Sequence, residues 1–324
     1  MLRNRCGLVL LTALAPAVWG STYLVTTELL PPDRPLLAAV LRSLPAGILL
    51  LLLTRRLPKG SWWWKSLVLG TLNIGVFLAL LFVAAYRLPG GVAATVGAVQ
   101  PLLVAGLSVP LLGQRLAPRT LAAALVGIVG VALLVLRADA RLDAVGVAAA
   151  LGGAVVMATG VVLSKRWTSP APLLATTGWQ LVAGGLVLTP VALLVEGPPP
   201  SSYTGENLIG YGYLGLIGAA LAYALWFRGI KALTPTEVTF LGLLSPLVAT
   251  LLGWIVLGQQ LTALQLLGAL LALAAVVLAQ LRPRRRRAAP VLGDPGACAH
   301  GAKEDALGAG SLRDRTRERS GKSL

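Results

Sequence analysis

The sequence predicts an all-α integral membrane protein: about ten transmembrane helices arranged as two inverted five-helix repeats, followed by a disordered basic C-terminal tail. Three observations predict it. The composition suits lipid rather than water, ten apolar runs have the length that crosses a bilayer, and the chain resembles itself at a spacing of 145 residues.

Of the 324 residues, 56% are hydrophobic and 12% are charged, so a water-soluble domain would have to expose much of its apolar surface. The expected surroundings are therefore the lipid bilayer of the cell (plasma) membrane. Basic residues give a formal net charge of +16. Many of them stand in short segments between apolar runs or after Leu281, where they orient membrane helices, so nucleic acid is not an expected partner. Cys6 and Cys298 show no paired spacing, and the single histidine, His300, lies in the tail. Neither a disulfide framework, a metal site nor a cofactor is indicated.

The first element begins like a signal peptide, with Arg3 and Arg5 before an apolar run and small residues at Ala13 and Ala15. The run continues through Trp19 to about Thr27, long enough to span, and is read as the first transmembrane helix, 7–27. The next four spans are expected at 35–53, 65–86, 91–112 and 119–136, and the last five at 144–163, 172–195, 208–227, 236–257 and 262–281. Each holds about 18 to 24 mostly apolar residues, as the hydrocarbon thickness demands at helical rise. Breaks fall at turn or charge clusters such as Pro31-Pro32-Asp33-Arg34, Arg55-Arg56-Leu57-Pro58-Lys59-Gly60 and Gly197-Pro198-Pro199-Pro200. Trp62, Trp63 and Trp64 beside Lys65 read as an interfacial belt.

Basic residues fall mainly in alternate loops. One set carries Arg55, Arg56, Lys59 and Lys65, then Arg115 and Arg119, then Lys165 and Arg166, then Arg228 and Lys231, and it joins Arg3, Arg5 and the run Arg284, Arg285, Arg286, Arg287. The opposite set carries only Arg34, Arg87, Arg137 and Arg141. Positive charge stays inside, so both termini are expected in the cytoplasm. The tail run anchors the last helix on that side, and a contact with anionic lipid is a second reading of it.

Sliding the chain by 145 residues aligns Leu88 to Leu136 with Leu233 to Leu281 without a gap, with about 15 identities in about 49 positions. Gly97-Ala98-Val99-Gln100-Pro101-Leu102 falls on Gly242-Leu243-Leu244-Ser245-Pro246-Leu247, and Leu112-Gly113-Gln114-Arg115-Leu116 on Leu257-Gly258-Gln259-Gln260-Leu261. The organisation expected is a first repeat over 1–138, a second over 143–281 and the tail over 282–324. Because each repeat has an odd number of spans, the second enters the membrane from the opposite side. Two similar halves of opposite topology give two near-equivalent states open to opposite sides, which is the geometry of transporters.

Trp19-Gly20-Ser21-Thr22-Tyr23, Arg42, the Pro101 and Pro246 helices and the paired Leu-Gly-Gln-x-Leu ends resemble the drug/metabolite transporter superfamily, and within it the EamA-type exporters. The resemblance covers about Leu8 to Leu281. It implies a ten-helix inverted-repeat fold, cytoplasmic termini, a central cavity between the halves, and export of a small-molecule substrate such as an amino acid or a related compound. One departure stands out: where family members commonly have Glu after the Gly at the ends of the fourth and ninth helices, this chain has Gln114 and Gln259.

Arg42 is a formal charge well inside a span and must meet a partner, water or a cavity. It would contact a substrate carboxylate or be satisfied by backbone carbonyls, and its presence in a family of differing substrates implies the structural role. Glu28 and Glu237 lie at span ends, so the usual carboxylate proton relay is missing and facilitated export or exchange is expected. Substrate-binding candidates share helix faces: Trp19 and Tyr23, Asn73 and Phe77, Tyr223 and Trp226. Gln100 and Ser245 immediately precede Pro101 and Pro246, whose missing backbone donors free carbonyls for polar groups. Packing or interfacial anchoring is the competing role for each aromatic. Glycines at 127, 130, 152, 153, 215, 218 and 268 let helices approach closely.

The function expected is secondary transport that exports a small metabolite or drug by alternating access. Its rivals are a channel or a non-transporting scaffold, which gain nothing from two states, and an intramembrane enzyme, for which no nucleophile, acid/base pair or metal cluster converges. The topology has a direct check in the two cysteines. A membrane-impermeant thiol reagent added to intact cells is expected to leave Cys298 unlabelled until the cells are opened, and labelling in intact cells would reverse inside and outside.

Overall fold

The computed structural model describes residues 2–31, 34–87, 96–135, 143–258 and 261–281. The tail with Arg284 to Arg287, together with Gln259, Arg137 and Arg141, lies outside the described residues. Eight helices among those described are long and apolar enough to cross a membrane, and two shorter apolar helices, Gln100–Leu112 and Pro118–Leu134, stand where the fourth and fifth spans are expected. The fold is all-α and built for a bilayer: side chains such as Leu194, Val195, Leu53, Ile209 and Leu270 are exposed on the outside, where only lipid makes their exposure favourable.

The spans begin and end for local reasons. Thr204, Thr234 and Thr262 each accept from the backbone N–H three residues on, while the side chains of Asn207, Glu237 and Gln265 return the bond to the threonine N–H; these capping boxes satisfy donors that the first helical turn orphans. Asp143 caps the sixth span, Ala144–Arg166, at Gly146 N, 2.7 Å. The fourth span, Gln100–Leu112, and the second part of the ninth, Leu244–Leu257, end at Gly113 and Gly258, both with φ of +65°. That left-handed turn is where glycine carries no steric penalty, and the two glycines are 145 residues apart, as the repeat requires.

The repeat also governs irregularities. The third span runs Trp62–Gly70, widens into a π segment at Thr71–Val76 and continues as Phe77–Arg87. The eighth runs Gly205–Gly215, widens at Leu216–Leu221 and continues as Ala222–Ala232. The two π segments are again offset by 145 residues, and each follows a Leu-Gly pair, Leu69-Gly70 and Leu214-Gly215. The fourth and ninth spans break into turns just before Pro101 and Pro246, where the missing proline donor and the ring disfavour a continuous helix.

Packing is across the repeats. The second span, Pro35–Thr54, lies on the seventh, Leu173–Glu196, and the fifth, Pro118–Val135, on the tenth, Ala263–Gln280. Each seam is made by small residues. A methyl group on Gly47 would come within 2.6 Å of Val182 N, one on Gly130 within 2.5 Å of Ala272 N, and one on Gly268 within 2.5 Å of Leu134 N. The first span, Leu2–Leu29, packs on the eighth and ninth, while the sixth packs on the third and fourth, so each half grips the other with equivalent elements.

The connections gather into two rims matching the alternation of basic loops. At one, Arg5 pairs with Glu237 at 2.6 Å, Lys165 donates to Lys231 O and Leu233 O, and Arg119 donates to Leu281 O. At the other, the Glu196 carboxylate accepts from Leu36 N and Leu37 N, Arg34 donates to Pro198 O, and Asn207 donates to Leu29 O.

The seams make the fold sensitive at defined glycines. Gly130→Leu is expected to cost on the order of 1 to 3 kcal/mol, the usual penalty of overpacking, and to lower the apparent melting temperature in detergent. Gly212→Ala, whose methyl group meets nothing within 4 Å, should not lower it.

Candidate functional site

Each π segment is a point where the other half makes polar contact. In the eighth span, the carbonyl oxygen of Gly218 accepts from Trp19 Nε1 at 3.0 Å and from Arg42 Nη2 at 3.1 Å. A carbonyl oxygen has two lone pairs, and here side chains from the first and second spans supply a donor for each. Around this point the Trp19 ring lies 5.2 Å from Tyr223 and 5.2 Å from Trp226, and Tyr223 stacks on Phe227 at 5.9 Å. Tyr223, Trp226 and Arg42 are buried and Trp19 is half-buried. Nearby on the same two spans, Ser21 Oγ meets Tyr213 Oη at 2.7 Å.

In the third span, Asn73 is fully buried and its Nδ2 donates to Ser164 Oγ and to Gln180 Oε1, both at 3.0 Å. Asn73 is the third residue of its π segment, as Gly218 is of the other. Gly160 makes room for it: a methyl group there would lie 2.2 Å from Asn73 Oδ1. Ser164 and Gln180 also line a cavity of about 30 Å³, room for a water or two, whose other walls include Trp62, Trp167, Thr176 and Phe227. Through Phe227 this cavity adjoins the aromatic cluster.

The residues expected from the sequence thus divide. Trp19, Arg42, Tyr223 and Trp226 converge on one point. Asn73 belongs to the second network, and Phe77 is half-buried against the core beside it. Gln100 and Ser245 are half-buried at the breaks before Pro101, which is buried, and Pro246, which is half-buried; Ser245 O also backs directly on Gly20 of the first span. The side chain of Tyr23 lies outside the described residues. Of the tryptophan belt, Trp63 and Trp64 are exposed, but Trp62 turns inward, 6.3 Å from Trp179. Gly218 was expected only as a close-packing glycine and Ser164 was not singled out by the sequence; the Leu-Gly pairs at the repeat spacing are the hint it holds of the π segments.

The described acidic residues Glu28, Asp143, Glu196, Glu206 and Glu237 all stand at the ends of spans. The chemistry of the middle is therefore that of aromatic faces, neutral polar groups and the Arg42 cation.

Comparison with known proteins places this architecture. The family model described as the EamA-like transporter family matches residues 7–136 and 144–281. The chain is 48% identical to Protein PecM of Dickeya dadantii over 282 residues, covering 86% of this chain and 94% of that one. It is 30% identical to the uncharacterized inner membrane transporter YedA of Escherichia coli over 287 residues, 86% of this chain and 93% of the other. A solved crystal structure superimposes with a TM-score of 0.71 at 22% identity, covering 85% of this chain and 97% of that one, and so shares the fold.

The Asn73 network can be tested for coupling. Gly160→Ala is expected to destabilise the protein in detergent, and Asn73→Ala to suppress that effect, because the atoms the new methyl group strikes are then gone. The hydrogen bonds themselves should be worth about 0.6 kcal/mol and at most about 1.7 kcal/mol in an Asn73→Ala, Gln180→Ala double-mutant cycle.

Proposed function

Because the chain belongs to the EamA-like transporter family, we propose that this membrane transporter exports a small metabolite, an amino acid or related compound or a drug, by alternating access. The observation that supports this reading best is the Gly218 point, where donors from the first and second spans and aromatic rings from the first and eighth meet between two interlocked repeats. Inverted repeats give a protein two related arrangements of the same contacts, and a site at their meeting point is reached from opposite sides in each.

In this reading the substrate lies against Trp19, Tyr23, Tyr223 and Trp226, with Gln100 and Ser245 facing it from the two repeats and Asn73 and Phe77 bordering it. The small cavity at Gln180 and Ser164 is the remnant of the path to the rim that carries Arg5, Lys165 and Arg119. By the basic-loop rule that rim is the cytoplasmic one, so the path loads substrate from inside the cell. The mid-membrane stretch offers Arg42 but, among the described residues, no carboxylate for a proton relay, which supports movement down a gradient or exchange over proton coupling.

The discriminating experiment is counter-flow. Protein reconstituted in proteoliposomes and tested with a panel of radiolabelled amino acids should show saturable uptake of at least one, accelerated by the same unlabelled compound on the opposite face. Flux that rises linearly with concentration and ignores the opposite face would point to a channel instead.

A further inference from the structure

We propose that the compound this site takes presents a hydrogen-bond acceptor, a carboxylate or an amide carbonyl, on a flat apolar body, and that its oxygen replaces the Gly218 carbonyl as the partner of Trp19 and Arg42. The proposal rests on the transport reading above for the site's location and adds the chemistry of its ligand.

Among the described residues, two donors meet on one oxygen at this point and a third beside them has no acceptor. The indole N–H of Trp19 and the guanidinium of Arg42 can only donate, and both are aimed at one backbone oxygen. A third donor is unspent: Trp226 is 2% exposed, its ring lies 5.2 Å from that of Trp19, and its Nε1 has no acceptor among the described residues. A buried N–H without a partner is costly and rare, and here it stands in the wall of an aromatic cluster, where a flat ligand would stack. A ligand oxygen reaching this point satisfies the donors that Gly218 now holds and offers an acceptor to the one left over.

The same inventory excludes an organic cation. Aromatic faces alone would attract one, but Arg42 already places positive charge in the cluster, and the described carboxylates are all at span ends. In a medium of low dielectric the repulsion between two like charges is not screened. An anion gains the opposite interaction, and a neutral amide keeps the hydrogen bonds without the charge.

Replacement of the carbonyl has a consequence for the helix. Gly218 lies within the π segment Leu216–Leu221, and its oxygen is satisfied from outside the helix. Once a ligand takes those donors, the oxygen needs another donor, and with a backbone N–H of its own helix supplying one the wide turn tightens toward α geometry. Ligand occupancy and the shape of the eighth span are thereby coupled.

Phenylacetate, phenylacetamide and phenethylammonium share one ring and differ in the polar head, so they separate these chemistries. At millimolar concentration the acetate and the acetamide are expected to raise the unfolding temperature of the protein in nanodiscs, while the ammonium leaves it unchanged. Trp19→Phe keeps a ring but removes the N–H, and should weaken binding of both acceptors by about 10-fold; Trp226→Phe, which removes the unspent donor, is the second variant and should act in the same direction. Stabilisation by the ammonium equal to that by the acceptors, no stabilisation by either acceptor, or unchanged acceptor affinity in both variants would overturn the proposal. Counter-flow of any solute by the same purified protein in proteoliposomes keeps the transport reading standing in that event. Acceptor binding with no counter-flow of any solute removes the transport reading and upholds the donor assignment.

Discussion

A backbone carbonyl in the middle of a bilayer has no water to turn to, and Gly218 shows how much structure depends on satisfying one. Its oxygen is met by Trp19 from the first span and Arg42 from the second. Those two bonds fix the faces that both spans present to the eighth, seat the Trp19 ring against Tyr223 and Trp226, and give Arg42 a partner in a place where an unmet cation would cost several kcal/mol. The widened turn is the local price of this arrangement, and such turns are tolerated in membrane helices when groups from neighbouring helices take up the backbone atoms they free.

The small-residue seams and the rims are held by contacts of different kinds. The seams of Gly47 on Val182 and Gly130 on Ala272 are close backbone approaches, in which small residues let the helices lie against one another. The rims are held by exchangeable polar contacts: Arg5 with Glu237, Lys165 with the end of the eighth span, Glu196 with the start of the second. Water can replace each of these partners.

Much of this was legible in the sequence because it follows from solvent and symmetry. The ten apolar runs answer to the bilayer thickness, and the breaks before Pro101 and Pro246 and after Leu112 and Leu257 answer to the chemistry of proline and glycine. The π segments were not legible: Thr71–Val76 and Leu216–Leu221 are ordinary apolar stretches, and one extra residue in a turn leaves no compositional mark. Nor could periodicity assign Asn73, because a helix face shared with Phe77 is equally a face toward Ser164 and Gln180, and only the packing of the third span on the sixth and seventh decides between them. Arg42 was recognisable as a cation whose structural role is met by backbone carbonyls, but that one of them is Gly218 of the other half is something no side-chain pattern can announce.

The two repeats share a scaffold and differ in chemistry at one matched position. Where the third span has Asn73, the eighth has Gly218, each third in its π segment. Asparagine brings its own amide, whose nitrogen donates to Ser164 and Gln180, both neutral groups, while its Oδ1 has no donor among the described residues. Glycine brings nothing, so the backbone oxygen itself faces the other half and is answered by groups that can only donate. The first arrangement is a joint between spans made by one side-chain amide. The second satisfies one oxygen with Trp19 and Arg42 and leaves the Trp226 N–H without an acceptor among the described residues, the spare donor on which the proposed ligand chemistry rests. Within the two-fold frame of the repeats, the divergence of asparagine and glycine gives one half a side-chain joint and the other a backbone oxygen met by side-chain donors.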